Sequence, residues 1–155
     1  MHSCIFEIRT ERIEREDWMT EDCLYEDTHI DYCEPLDEEQ RKEEIKGLVN
    51  DVLPQGMFTL VGDDVLVYNG GFEEWEEKTT AEIRKKAATI DDYIYGWSTG
   101  YRETRNLMNN PLDTAYRFVL WNNTISDNSY ELMYMVSTLK EGEKLYVGAV
   151  FDYHI

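Results

Sequence analysis

Gly96-Trp97-Ser98-Thr99-Gly100 matches G-x-S-x-G, the pattern in which a sharp strand-to-helix turn exposes a serine Oγ for nucleophilic attack. Such a serine needs an acid and a histidine, and Asp113, Asp127 or Asp152 followed by His154 supply that order. The residues before the motif, 91–95, are weakly strand-like, and no series of parallel β-α-β units leads up to it. The same five residues also read as two helix-breaking glycines around a Ser/Thr cap that opens a helix at Tyr101. That reading fits the context better. A small serine hydrolase using Ser98 and His154 is kept as an alternative.

Metal chemistry has one candidate. All three cysteines and all three histidines lie at positions 2, 4, 23, 29, 33 and 154, and Cys23, His29 and Cys33 place three donors within eleven residues. Tetrahedral zinc usually takes two ligands from a Cys-x2–4-Cys turn, which is absent here, and isolated cysteines commonly serve packing. A metal-stabilised module through these three residues is a second alternative, and no cofactor is expected. No phosphate-loop, metalloprotease or calcium-loop spacing occurs.

The strongest feature is electrostatic. Residues 16–40 hold eleven acids and no Lys or Arg, within a chain of 155 residues whose formal net charge is −18. Duplex DNA carries one charge per ~1.7 Å of axis, so eleven carboxylates match roughly 19 Å of it if they share a face. The Glu-Asp doublets at 16, 21 and 26 recur every five residues, which advances about 140° on a helix and changes face on a strand. Only an irregular, loop-rich segment would aim all three doublets one way. Trp18, Tyr25 and Tyr32 are interleaved with the acids, as interface anchors are and as rings that pin a loop to its own core are. The plain alternative is a solvated surface that keeps the protein dispersed.

This charge argues against direct binding of nucleic acid, whose affinity comes from clustered cations, and against anionic membranes. The expected function is therefore a non-enzymatic acidic binding or inhibitor protein, DNA-mimic-like or immunity-like, that engages a basic protein partner. The expected contact residues are Glu16, Asp17, Trp18, Glu21, Asp22, Tyr25, Glu26, Asp27, Asp31, Tyr32 and Glu34. A cytoplasmic location is expected from the odd cysteine count, the absence of a secretory pattern at the start and the absence of a long apolar run.

The elements that must position these residues are legible from periodicity. Cys4, Phe6 and Ile8 alternate with Ile5 and Glu7 in a first strand. Asp37 and Gln40 form a capping-box pattern ahead of a helix carrying Ile45, Leu48, Val49, Val52 and Leu53. On that helix Glu38 and Lys42, and Glu43 and Lys46, are spaced to pair along a solvated face. Residues 57–61 and 65–68 read as a hairpin, and residues 73–88 as a helix with Trp75, Thr79, Ile83 and Ala87 inward. One or two short helices are expected in 91–110, a strand over 115–121, a helix over 127–139 and a closing strand over 145–153. The expected fold is a single α+β domain over 1–155. It has one mixed, largely antiparallel sheet of about five strands, with three to four helices mainly on one face.

Overall fold

The computed structural model describes residues 2–25, 32–90, 99–121, 125–126 and 128–154. The first strand, β1 (His2–Arg9), leads through a 3₁₀ turn (Arg15–Asp17) and a one-turn helix α1 (Asp22–Tyr25) to β2 (Tyr32–Pro35). Helix α2 (Glu38–Gly47) follows and runs into a π-turn over Leu48–Val52. The hairpin β3 (Phe58–Val61) and β4 (Val65–Tyr68) comes next, then helices α3 (Phe72–Ala87) and α4 (Thr99–Asn109). The chain closes with β5 (Arg117–Val119), β6 (Ile125–Ser126), α5 (Tyr130–Ser137) and the long β7 (Lys144–His154).

The class is α+β, with seven strands and five helices among the described residues, so the expectation of about five strands and three to four helices is corrected upward. Strands β2 and β6 and helix α1 account for the difference. They are two to four residues long, too short to show a period in sequence. The sheet order is β3-β4-β7-β1-β5-β6, and β2 also pairs with β7. Strand β7 is the spine. Its first part bonds β4, its last part bonds β2 on the same edge, and β1 runs along its other edge. Only the β1–β5 pair is parallel.

Alternation along the strands divides the core in two. Cys4, Phe6 and Ile8 of β1 join Phe118, Leu120, Leu145 and Val147 in the larger cluster, beneath Ile45 and Leu48 on one side and Leu132, Met135 and Val136 of α5 on the other. Ile5, Val119, Ala149, Phe151 and Tyr153 face the opposite way and pack under Leu24, with Trp18 and Met19 against them. Val147 and Ala149 are two residues apart yet belong to different clusters. A bulge explains it: the β1–β7 register slips between Phe6 and Ile8, and one extra β7 residue reverses the pleat at Gly148.

Local signals match their elements. Asp37 Oδ1 accepts from Gln40 N–H at 2.9 Å while the Gln40 side chain accepts from Asp37 N–H, closing the capping box. The end of α2 widens so that Leu53 N–H reaches Leu48 C=O at 2.9 Å just before Pro54 stops the element. The expected stripe of α3 is there, but Trp75, Thr79, Ile83 and Ala87 are only half-buried. No helix among the described residues is long and apolar enough to cross a membrane.

Candidate functional site

Two buried charges fasten the start of the acidic segment to the sheet, one on each side of the β7 bulge. Glu7 is 1% exposed. Its Oε2 accepts from Ala149 N–H at 3.1 Å and from Met19 N–H at 3.0 Å, and its Oε1 accepts from the Arg9 guanidinium at 3.2 and 3.3 Å. A buried carboxylate is tolerable only when its lone pairs are filled, and here they are. Gly148 makes the approach possible, because a Cβ there would sit 2.5 Å from Glu7 Oε2.

Arg41 of α2 is the counterpart. Its Nε donates to Gly148 C=O at 2.7 Å and its Nη2 to Val147 C=O at 2.6 Å, in the stretch of β7 between its pairings with β4 and β2. It also contacts Glu38 at 3.3 Å and Asp64 at 3.4 Å. The Trp18 ring lies under its guanidinium at 4.3 Å, and Arg15 approaches the same ring at 5.5 Å. Trp18 is thus the ring that pins the segment to its own core, its Nε1–H directed at Ile13 C=O.

The segment so held turns most of its carboxylates outward. Glu16, Asp17, Glu21, Asp22, Glu34, Asp37 and Glu39 are exposed. They do not form one array. Asp17 lines a cavity of about 300 Å³ with Glu11 and Trp121, whereas Glu16 and Glu21 line a separate one of about 430 Å³ with Arg15 and Arg41. Glu38 is the best neutralised, with Arg15 at 3.5 Å, Arg41 at 3.3 Å and Lys42 at 4.0 Å. The α2 face expected to be simply solvated is therefore tied down. Lys42 bonds Asp63 of the hairpin at 3.0 Å, a contact that raises its pKa, although Glu43 and Lys46 do pair at 2.7 Å. Tyr32 is exposed at the start of β2, and Glu34 stands opposite Asp152 of β7, two carboxylates facing the same way across a strand pair. The Tyr25 side chain and residues Glu26, Asp27 and Asp31 lie outside the described residues.

The two described donors of the metal alternative differ in burial. Cys23 is exposed on α1, Cys33 is buried on β2, and His29 lies outside the described residues. Among the described residues no three His, Cys, Asp or Glu side chains converge on a metal-sized site. Burial, with help from Glu21 and Asp152, pushes the Cys33 thiol up to about 11. Cys4 is raised further by burial and by the neighbouring Glu44 carboxylate, and burial raises Tyr116 too, helped by the same carboxylate, which accepts its hydroxyl at 3.0 Å. Burial therefore favours the neutral form of both thiols and makes them poor nucleophiles.

Ser98 lies outside the described residues, as do Gly96 and Trp97. The next glycine of that motif has a packing role: a Cβ on Gly100 would come within 2.7 Å of Thr89 C=O, where the start of α4 meets the end of α3. His154 closes β7, in register with His2 of β1 and Tyr32 of β2.

Sequence reading passed over a second surface. Trp121, Tyr130 and Tyr134 keep 50, 54 and 56% of their surface exposed, and Tyr134 meets each of the other two. Tyr130 and Tyr134 stack at 6.4 Å on the outer face of α5, and Trp121 meets Tyr134 edge-on at 6.2 Å. The signal was available. Residues 118–139 contain no Lys or Arg, and Tyr130 and Tyr134 stand four apart, one helical turn, on the opposite face from Leu132 and Met135. No protein-family model matches this chain, and neither the curated proteins nor the solved structures contain a match to it.

Proposed function

We propose that this chain is a non-enzymatic binding protein that engages a basic protein partner through the acidic 16–40 segment. One observation carries the reading: Glu7 and Arg41, both buried, hold residues 15–21 against the sheet and leave their carboxylates in water. A segment that served only solubility needs no such fastening. One that must meet a partner gains from it, because ordering completed in the free protein is not lost again on binding. The interspersed rings divide the work: Trp18 locks the segment, and Tyr32 is presented outward. Charge complementarity of this kind acts mainly on the encounter rate and falls with ionic strength.

The test is association kinetics with polylysine and with a panel of basic proteins at low and high salt. Reversing Glu16, Asp17, Glu21 and Asp22 to Lys is expected to slow association by about tenfold or more at low salt, with the difference shrinking as salt rises. Association rates that ignore this fourfold reversal would remove the proposal.

A further inference from the structure

Exposed apolar side chains gather on the side of the molecule formed by α3, α4 and α5. A groove of about 370 Å³ runs between these helices. Phe72, Trp75 and Ile83 of α3, Leu107 and Met108 of α4, and Met133 of α5 line it, and Tyr130 and Tyr134 stand on its rim. The stripe on α3 that the sequence directs inward is half-buried because it faces this groove, which is open to solvent. Trp121 extends the same apolar surface beyond Tyr134. Isolated exposed rings are ordinary, but three rings joined through Tyr134 beside an apolar groove form a contiguous patch of the kind that proteins cover with a partner.

The charges around the patch identify what would cover it. Among the described residues lining the groove, Glu76 is the only charged one. Helix α5 adds the exposed Glu131 and no cation. Beyond Trp121 the next cavity presents Glu11 and Asp17. Of its two arginines, Arg9 is bonded to Glu7 and to Leu120 C=O, and Arg12 lies over the Tyr146 ring at 5.3 Å. A second copy of this chain would bring another −18 charges to the contact, which rules against self-association as the way the patch is buried. We infer that the α5 face and its groove dock an amphipathic, cationic segment of a partner protein. Its apolar side chains enter between α3, α4 and α5, and its Lys or Arg side chains lie on the exposed rings and against Glu76 and Glu131. The inference rests on the reading of a basic partner. It places the apolar half of that contact away from the 16–40 segment.

The experiment uses the full chain and three probes: an amphipathic helical peptide of Leu and Lys, a Leu/Glu peptide of the same pattern, and polylysine. Binding is read from tryptophan fluorescence, to which Trp75 in the groove and Trp121 beside it report, and from titration calorimetry. The Leu/Lys peptide is expected to bind the wild-type chain with a shift in that emission. The double variant Tyr130→Ser/Tyr134→Ser is expected to weaken binding by roughly tenfold or more, as loss of central aromatic anchors does. If that variant does not fold, Met108→Ser at the exposed groove edge is expected to weaken the same peptide by a smaller factor. The fourfold reversal in residues 16–22 should leave the peptide's binding within a few-fold while slowing polylysine association by about tenfold or more at low salt. Failure of polylysine alone therefore defeats the acidic-segment reading and leaves this one standing. Equal binding of the Leu/Glu peptide, indifference of the Leu/Lys peptide to the tyrosine and methionine changes, or a concentration-dependent dimer dispersed by Tyr134→Ser would each overturn the docking surface.

Discussion

The two faces of the sheet are held by different physics. The face beneath α2 and α5 is closed mainly by apolar area, with Phe6, Phe118, Leu132, Met135 and Val136 interlocked. The opposite face has a smaller apolar cluster, and its covering segment is secured by Glu7, Arg9 and Arg41 working on the backbone of Val147, Gly148 and Ala149. Apolar packing tolerates modest change because neighbouring side chains relax into a gap. A buried ionic fastening does not, since removing one partner strands the other without solvent. The helical face therefore sets the fold, and the polar face sets where the acidic segment lies.

Breaking the fastening is the largest test of that contrast. Glu7→Ala leaves the amides of Ala149 and Met19 without their acceptor and takes the ion-pair partner from Arg9, and is expected to cost about 3–5 kcal/mol in denaturant unfolding. Leu132→Ala on the helical face is expected to cost a similar ~2–5 kcal/mol. The two should differ in kind. Amide exchange in residues 10–25 should accelerate selectively in the Glu7 variant and only in step with global unfolding in the Leu132 variant. Equal protection of 10–25 in both would show that the segment is not held by Glu7.

Gly148→Ala sharpens the same point, because the added methyl meets Glu7 Oε2 at 2.5 Å. A destabilisation of about 1–3 kcal/mol is expected, and Gly148→Ala combined with Glu7→Ala should cost less than the sum of the single changes. Strict additivity in calorimetric melting would mean that the two positions do not share the space.

Thiol chemistry separates the faces by pH. Cys33 on the second face is raised from an ordinary value of 9.0 to about 11, so folding favours its neutral form. The unfolded thiol ionises first as pH rises. The stability that Cys33 contributes is therefore intact below pH 9 and lost between about 9 and 11. Cys4 and Tyr116 on the helical face are raised as well, so their contributions begin to fade from the ordinary values of 9.0 and 10.0 and go on fading beyond the Cys33 range. At neutral pH a thiol reagent should modify the exposed Cys23 quickly and the other two only on unfolding. Cys33→Ala should flatten the first part of the alkaline decline. Rapid modification of all three thiols in the native protein would contradict this burial.

The smallest expected effect is local. Asp37→Ala opens the capping box of α2 and should lower stability by about 0.5–2 kcal/mol without altering exchange in residues 10–20, measured by the same denaturant and exchange experiments.

How far the sequence carried this reading depended on whether a feature is local. The alternation of Cys4, Phe6 and Ile8 against Ile5 and Glu7 became the two faces of β1, and the Asp37–Gln40 box became the start of α2, because both depend on neighbours a few residues away. Glu7 was visible as an acid sharing a strand face with Ile5. Its meaning was not, since the amide it serves at Ala149 is 142 residues distant. Arg41 is one cation of a charged helix in the sequence, and only the stretch of β7 left between β4 and β2 gave it carbonyls to capture. The two readings of Trp18 likewise became one only when Arg41 was brought over its ring.

By itself the sequence determined the α+β class, the boundaries of the longer elements and the sign and location of the excess charge, because propensity, periodicity and composition are short-range or additive quantities. Tertiary structure alone decided which charges are buried, which carboxylates share a surface and which aromatic rings stay in water. Those outcomes depend on β7 pairing with strands from both ends of the chain, where one extra residue at Gly148 reverses the direction of every side chain beyond it.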